Sequence, residues 1–211
     1  NHLCEILPQC DGWIIGDDPA TRRVFEAGKA GRLKAAVKWG VGVDNVDFNA
    51  CGDLQIPISN TPGMFGNEVA DLALGYLLAL SRDILTIDNH VRNGDWFKPQ
   101  GQSLKGKVAG VVGFGDIGQK VCERLTAFGI EIIAWDPLSG ESENRDFLAT
   151  PIWPERAGDC DFIIFTCSLN EQNRHMFNKD VVSKCKQGTS VINVARGPLI
   201  DEKALLQGLT T

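Results

Sequence analysis

The sequence lacks C-x-x-C spacing, clustered histidines, any run of basic residues and any apolar stretch long enough to cross a bilayer, and each absence removes a class of function. Its seven cysteines are odd in number and scattered, which reads as reduced thiols of a cytoplasmic protein rather than a disulfide framework or a thiolate metal site. His2, His90 and His175 lie too far apart to form a zinc cluster by spacing, so no metal is expected. A formal net charge of −6 argues against nucleic acid or an anionic membrane as the main partner. The longest apolar stretch, Leu72 to Leu80, is bounded by Asp71 and by Arg82 with Asp83, and reads as a buried or interface helix rather than a span. No signal peptide is evident, and the chain starts at Asn1 without a Met, so the expectation is a natural start further upstream. What remains is an ordinary globular composition, 43% hydrophobic and 23% charged, with length enough for a sizeable core.

Against that background one stretch carries chemistry. Val108 to Val112 reads as a short, fully buried strand, Gly113, Gly115 and Gly118 form a turn, and Gln119 to Phe128 has a helical pattern with Val121, Leu125 and Phe128 on one face. A second apolar run, Ile130 to Trp135, ends at Asp136. Strand, glycine turn, helix and spaced acid together form the dinucleotide fingerprint in its required context. Gly113 allows the tight turn, Gly115 lets the backbone approach a pyrophosphate, and Gly118 permits close helix-to-strand packing. The backbone through Asp116 and Ile117 opens the helix, whose free N–H groups and dipole favour phosphate. Asp116 is expected to contribute backbone, since its carboxylate would be repelled by pyrophosphate. Asp136 can accept from both ribose hydroxyls and would repel a 2′-phosphate, so the cofactor is expected to be NAD rather than NADP.

Elsewhere the pattern alternates. Trp13 to Ile15, Lys34 to Trp39 and Ile56 to Ser59 read as strands, with helices at Ala20 to Arg32 and around Val46 to Gly52, which implies a parallel sheet with helical crossovers. After the turn Asn60-Thr61-Pro62-Gly63, a long helix is predicted from Asn67 to Val91, apolar almost all round in its first half and ended by Asn93-Gly94. A polar connection from Lys98 to Gly106 leads into the fingerprint. Beyond Asp136 come a polar loop from Ser139 to Arg145, strands at Asp161 to Thr166 and Ser190 to Val194, and helices at Asn178 to Lys186 and Asp201 to Gln207. The fold expected is α/β in two lobes. Residues 1–64 would be a partial, flavodoxin-like substrate lobe, and 65–211 a doubly wound, parallel-sheet Rossmann domain with its leading interface helix. Four strands are predicted in that domain against the six of a complete one, so the sheet is expected to be unfinished at Thr211.

Three further segments resemble the D-isomer-specific 2-hydroxyacid dehydrogenases, most closely the members acting on phosphoglycerate. They are Lys38-Trp39-Gly40-Val41-Gly42-Val43-Asp44-Asn45-Val46-Asp47, then Asn60-Thr61-Pro62-Gly63 leading to Val69-Ala70-Asp71, and Val191 to Glu202 with Arg196 following a strand. The resemblance implies that backbone N–H groups of Gly40, Val41 and Gly42 receive the substrate carboxylate, which suits an anion nest. It also implies that Arg196 is the catalytic Arg, forking two hydrogen bonds onto a 2-oxo acid. Asn193, Val194 and Ala195 would lie against the nicotinamide, Cys167 would pass the nucleotide, and Thr61 would stand near cofactor and substrate. Two alternatives remain for these last: Cys167 as an inert buried thiol, and the Thr61 hydroxyl as a brace for the Pro62-Gly63 turn. Lys38 stands where phosphoglycerate enzymes often carry Arg. It is either part of the substrate site or a solvated surface lysine.

Oxidation of a hydroxy acid by NAD also needs a base for the hydroxyl proton. The family's base is a His in a Pro-His-x-Gly turn, oriented by a Glu, and this sequence contains no Pro-His. The reading is therefore an NAD-dependent oxidoreductase of a small D-2-hydroxy acid, with 3-phosphoglycerate favoured over hydroxypyruvate or glyoxylate, from which that Glu and His are absent. The expected assembly is a homodimer built on the helix at Val69 to Leu80. The alternative is a non-catalytic NAD-binding or scaffolding module.

Overall fold

The computed structural model describes residues 2–137, the backbone of 148–150, and residues 152–210. The chain divides into two compact units, Asn1–Phe65 and Gly66–Thr211. The polar loop expected from Ser139 to Arg145 lies outside the described residues.

The first unit runs α1 (His2–Ile6), β1 (Gly12–Ile15), α2 (Arg22–Ala30), β2 (Ala35–Lys38), α3 (Phe48–Asp53) and β3 (Ile58–Asn60). All three strands are parallel, in the order β1-β2-β3. Ile15, Val24, Phe25, Leu33, Ala50 and Ile56 form its core. The third helix starts two residues later than its apolar pattern predicts, because the Asp47 carboxylate accepts from the Ala50 N–H at 2.8 Å and caps it. Val46 instead bridges to Ala20.

The second unit opens with α4 (Gly66–Ser81) and α5 (Ile84–Arg92), so the single long helix expected over 67–91 is in fact two. The Ser81 hydroxyl donates back to the Leu77 carbonyl at 2.8 Å, and the Gln102 N–H takes the Ser81 carbonyl at 2.7 Å, which a continuing helix would have used. Asp83 then turns left-handed at φ +52°, a conformation Asp tolerates better than most residues. Nor is α4 buried all round. Ala70, Ala73, Leu74 and Leu77 are buried, whereas Leu72, Tyr76 and Leu80, spaced four apart, are about half exposed.

The remaining elements are β4 (Val108–Val112), α6 (Asp116–Ala127), β5 (Glu131–Trp135), β6 (Leu148–Thr150), β7 (Phe162–Phe165), α7 (Lys179–Val182), β8 (Ser190–Asn193) and α8 (Glu202–Thr210). The sheet has five parallel strands where four were expected; the addition, β6, is three residues long and too short to show a period. Its order, β6-β5-β4-β7-β8, is the 3-2-1-4-5 of a Rossmann domain, and the strand order reverses between β4 and β7. One face packs under α4 and α6 through Leu74, Leu77, Val111, Val121 and Leu125, and the other through Trp135, Ile163, Phe165, Phe177 and Leu199. Phe128, expected on the buried face of α6, is its C-cap residue and 40% exposed. The helix expected at 178–186 shrinks to one turn, capped by the Asn178 side chain.

Candidate functional site

Parallel strands leave their carboxyl ends as the place where loops can carry ligands, above all where the strand order reverses. In the second unit the sequence-predicted residues all fall there. The glycine turn follows β4, Asp136 follows β5, Cys167 follows β7, and Val194 to Arg196 follow β8, whose last residue is Asn193. Asp136 and Asn193 thus end strands three positions apart, which is roughly 14 Å across the sheet.

The glycine turn is shaped by specific contacts. Gly113 has φ +99°, and a Cβ there would lie 2.7 Å from backbone atoms of Cys167. At Gly118 a Cβ would meet the Gly113 carbonyl oxygen at 2.0 Å. At Gly115 it would meet nothing within 4 Å. Open space therefore stands in front of the middle glycine while the outer two are walled in, which is the cradle a pyrophosphate needs. Asp136 accepts the Phe114 N–H at 2.7 Å, so the acid expected at a ribose also braces the turn. Two further residues that sequence reading passed over hold the same turn. Thr166, one residue past β7, donates its hydroxyl to the Gly113 carbonyl at 2.7 Å, and the Gln119 amide donates to the Phe114 carbonyl at 3.1 Å. A Thr at the end of an apolar strand was the available signal for the first. Burial, with Asp136 nearby, pushes the Cys167 thiol up to about 11, so it is protonated at neutral pH and no nucleophile.

The loop after β8 is tied down by the Asn193 side chain and by backbone bonds. Asn193 donates its amide to the Arg196 carbonyl at 2.8 Å and accepts the Ala195 N–H at 3.0 Å, and Val194 N–H reaches back to the Phe165 carbonyl at 3.2 Å. Arg196 is extended and half-buried, and one guanidinium nitrogen donates to the Ala195 carbonyl at 3.0 Å.

In the first unit Gly40 has φ +137°. Its N–H donates to the Thr61 hydroxyl at 2.9 Å, and the Thr61 N–H reaches the Gly40 carbonyl at 3.3 Å. The Thr61 hydroxyl thus fastens the Gly40 turn rather than bracing Pro62-Gly63, and it takes one of the three N–H groups expected in the nest. Among the described residues the Val41 and Gly42 N–H groups meet no hydrogen-bond acceptor. Lys38 is not a solvated lysine: it is 3% exposed and donates to the Gly16 carbonyl, with Asp17 at 3.6 Å. A Cβ on Gly40 would lie 4.0 Å from its ammonium nitrogen, so the positive charge stands directly behind the turn.

The histidines are placed otherwise. His90 is bonded to Asp95 at 2.6 Å and stacked on Phe97, His175 is exposed in a left-handed turn with its N–H on Pro198, and His2 pairs with Glu5. Among the described residues no cluster could hold a metal, no helix is long and apolar enough to cross a membrane, and all the cysteines are free.

Comparison with known proteins shows the family of the chain. Residues 74–211 match the family model of the D-isomer specific 2-hydroxyacid dehydrogenase, NAD binding domain. The chain is 36% identical to a hydroxypyruvate reductase of Thermotoga maritima, over 98% of this chain and 67% of that protein. It is also 36% identical to a D-3-phosphoglycerate dehydrogenase of Methanocaldococcus jannaschii, over 99% of this chain but only 40% of that one. The solved structure of NAD+-bound 3-phosphoglycerate dehydrogenase from Entamoeba histolytica superposes with a TM-score of 0.83 at 26% identity, over 99% of this chain and 63% of the other. The glycine cradle, the acid after β5 and the Arg loop after β8 thus occur in a chain that belongs to the D-isomer specific 2-hydroxyacid dehydrogenases, with the NAD-binding domain of that family over residues 74–211.

Proposed function

We propose that the protein acts in an NAD-dependent oxidation or reduction at the CH–OH carbon of a D-2-hydroxy acid. The observation that carries this is the Arg196 loop: a guanidinium after β8, on a loop fastened by Asn193, beyond the cofactor cradle along the same sheet edge. NAD when bound supplies the hydride acceptor. The chain's own residues bind and orient. The Gly113 to Gly118 backbone takes the pyrophosphate, Asp136 the adenosine ribose, and backbone of Asn193 to Ala195 the nicotinamide end. Arg196 pairs with the carboxylate and carbonyl oxygen of the acid, polarising the latter. Within the first unit, the Val41 and Gly42 N–H groups, backed by Lys38, form a nest suited to an anionic group. Since Lys38 is a buried cation beside that nest, the reading favours a phosphate-bearing acid such as 3-phosphoglycerate over hydroxypyruvate or glyoxylate. The proton that leaves the hydroxyl as hydride moves to NAD passes to a base other than the three histidines of this sequence.

The test is turnover by the full-length protein with NADH and three acids: the 2-oxo product of 3-phosphoglycerate oxidation, hydroxypyruvate and glyoxylate. The phosphorylated acid is expected to give the highest kcat/KM. A protein that binds NAD yet reduces no 2-oxo acid would instead be a non-catalytic NAD-binding module. Asp136→Arg is expected to weaken NAD about 100-fold, through two lost charge-assisted hydrogen bonds and the loss of the Phe114 brace. Calorimetric titration checks this, and unchanged affinity would remove the ribose assignment.

The reading includes a cytoplasmic homodimer, with reduced thiols suiting that compartment. The half-exposed Leu72, Tyr76 and Leu80 would meet their copies. Tyr76→Glu with Leu80→Glu should then halve the mass measured by sedimentation, and a wild type already monomeric would contradict it.

A further inference from the structure

The phosphate-binding end of α6 carries a resident anion, and that is the unexpected feature of this cradle. Asp116 is the first residue of the helix, between Gly115 and Gly118, and its carboxylate is paired with the Lys120 ammonium one turn further on. Both groups are partly sheltered, with side-chain exposures of 40% and 24%. Gly66, the first residue of α4, lies directly against them: a Cβ there would fall 2.2 Å from an Asp116 carboxylate oxygen and 2.6 Å from the Lys120 nitrogen. One turn beyond, Arg124 is committed elsewhere, to Asp71 at 2.6 Å and Asn67 at 3.2 Å. Among the described residues Lys120 is thus the cation in contact with Asp116.

A carboxylate at a helix N-terminus is favoured by the dipole, and so is a pyrophosphate, so the two compete for the same field. At separations near one helical turn, Coulomb's law in a near-aqueous dielectric gives a several-fold change in affinity for each unit charge facing a doubly charged group.

We propose that Lys120 is a determinant of NAD affinity, cancelling the Asp116 charge at the mouth of the pyrophosphate cradle, so that removing either partner exposes the cofactor to a salt-dependent charge effect that the intact pair hides. The proposal rests on the NAD reading and adds to it a residue outside the fingerprint. Asp116 is then not a bystander supplying backbone alone. Its carboxylate opposes the cofactor and is held in check one turn away.

The experiment is titration of NAD into the full-length protein and its Asp116→Asn, Lys120→Met and double variants, by calorimetry at low and at high salt. At low salt Asp116→Asn should bind NAD about 5-fold more tightly and Lys120→Met about 5-fold more weakly, with the double variant within about 2-fold of wild type. Both single-variant differences should shrink at high salt, because screening acts on exposed charges and not on packing. Wild-type affinity in both single variants, or a Lys120→Met loss that persists at high salt, would overturn the proposal while leaving NAD binding in place. If Lys120→Met fails to fold, Asp116→Asn alone still decides: a salt-sensitive gain supports the proposal, and no gain overturns it. Absence of NAD binding by wild type and variants alike would overturn the cofactor reading and this proposal with it.

Discussion

Gly118→Ala is expected to destabilise the second unit by about 3 kcal/mol or more, whereas Gly115→Ala, three residues away in the same turn, should cost only about 1 kcal/mol, the preference of a helix N-cap for Gly over Ala. The difference follows from what each methyl would meet. At Gly118 it would enter the Gly113 carbonyl oxygen at 2.0 Å, with the Thr166 hydroxyl at 3.0 Å, and backbone fixed between β4 and α6 cannot yield cheaply. At Gly115 it would meet nothing within 4 Å, and the residue has φ −76°, which Ala adopts without strain. The functional effects are reversed relative to the stability effects. The added methyl of Gly115→Ala occupies the space the pyrophosphate needs, so NAD affinity should fall at least about 10-fold in a protein that folds normally. Denaturant midpoints and NAD titrations of the two variants check both halves. A Gly115→Ala variant with wild-type NAD affinity would show that the pyrophosphate does not lie over this turn.

Arg196→Ala in the full-length protein should lower kcat/KM for a 2-oxo acid by on the order of 10²- to 10³-fold, with NAD affinity nearly unchanged. A guanidinium presents a planar fork to carboxylate and carbonyl oxygen together, and its charge counts for most where negative charge develops on the carbonyl oxygen as hydride arrives. Arg196→Lys restores the charge but not the fork, so it should recover only part of the loss. Asn193→Ala should resemble a weak form of Arg196→Ala, since it removes both bonds that this side chain makes to the loop, at the Arg196 carbonyl and the Ala195 N–H, while the Val194 N–H bond to Phe165 and the Leu199 N–H bond to the Arg196 carbonyl stay. Steady-state kinetics measure all three. If Arg196→Ala turned over 2-oxo acids at the wild-type rate, its catalytic role would be wrong.

The parts of this architecture that were legible in the sequence are those whose cause is local. The buried strand Val108–Val112, the turn after it and the acid ending the next strand follow from hydrophobic runs and glycine spacing, and they stand where that pattern puts them. The break between α4 and α5 was not legible, because it depends on the Gln102 N–H, about twenty residues on, taking the Ser81 carbonyl. Strand β6 was missed because three residues show no period and its pairing to β5 is made across the chain. At the candidate site, the sequence marked positions at the ends of strands but not the partners those residues have in the fold. Nothing in the motif Lys38 to Asp47 shows that Thr61 takes the Gly40 N–H, or that Lys38 is buried behind the turn. Helical spacing placed Lys120 four residues after Asp116, yet the sequence could not show that Gly66 closes on both.

Equilibrium titration of NAD and NADP into the full-length protein tests the central claim most directly. The account predicts saturable binding of NAD, with NADP at least about 10-fold weaker because its 2′-phosphate meets the Asp136 carboxylate. Equal affinity for the two, or no binding of either, would contradict it.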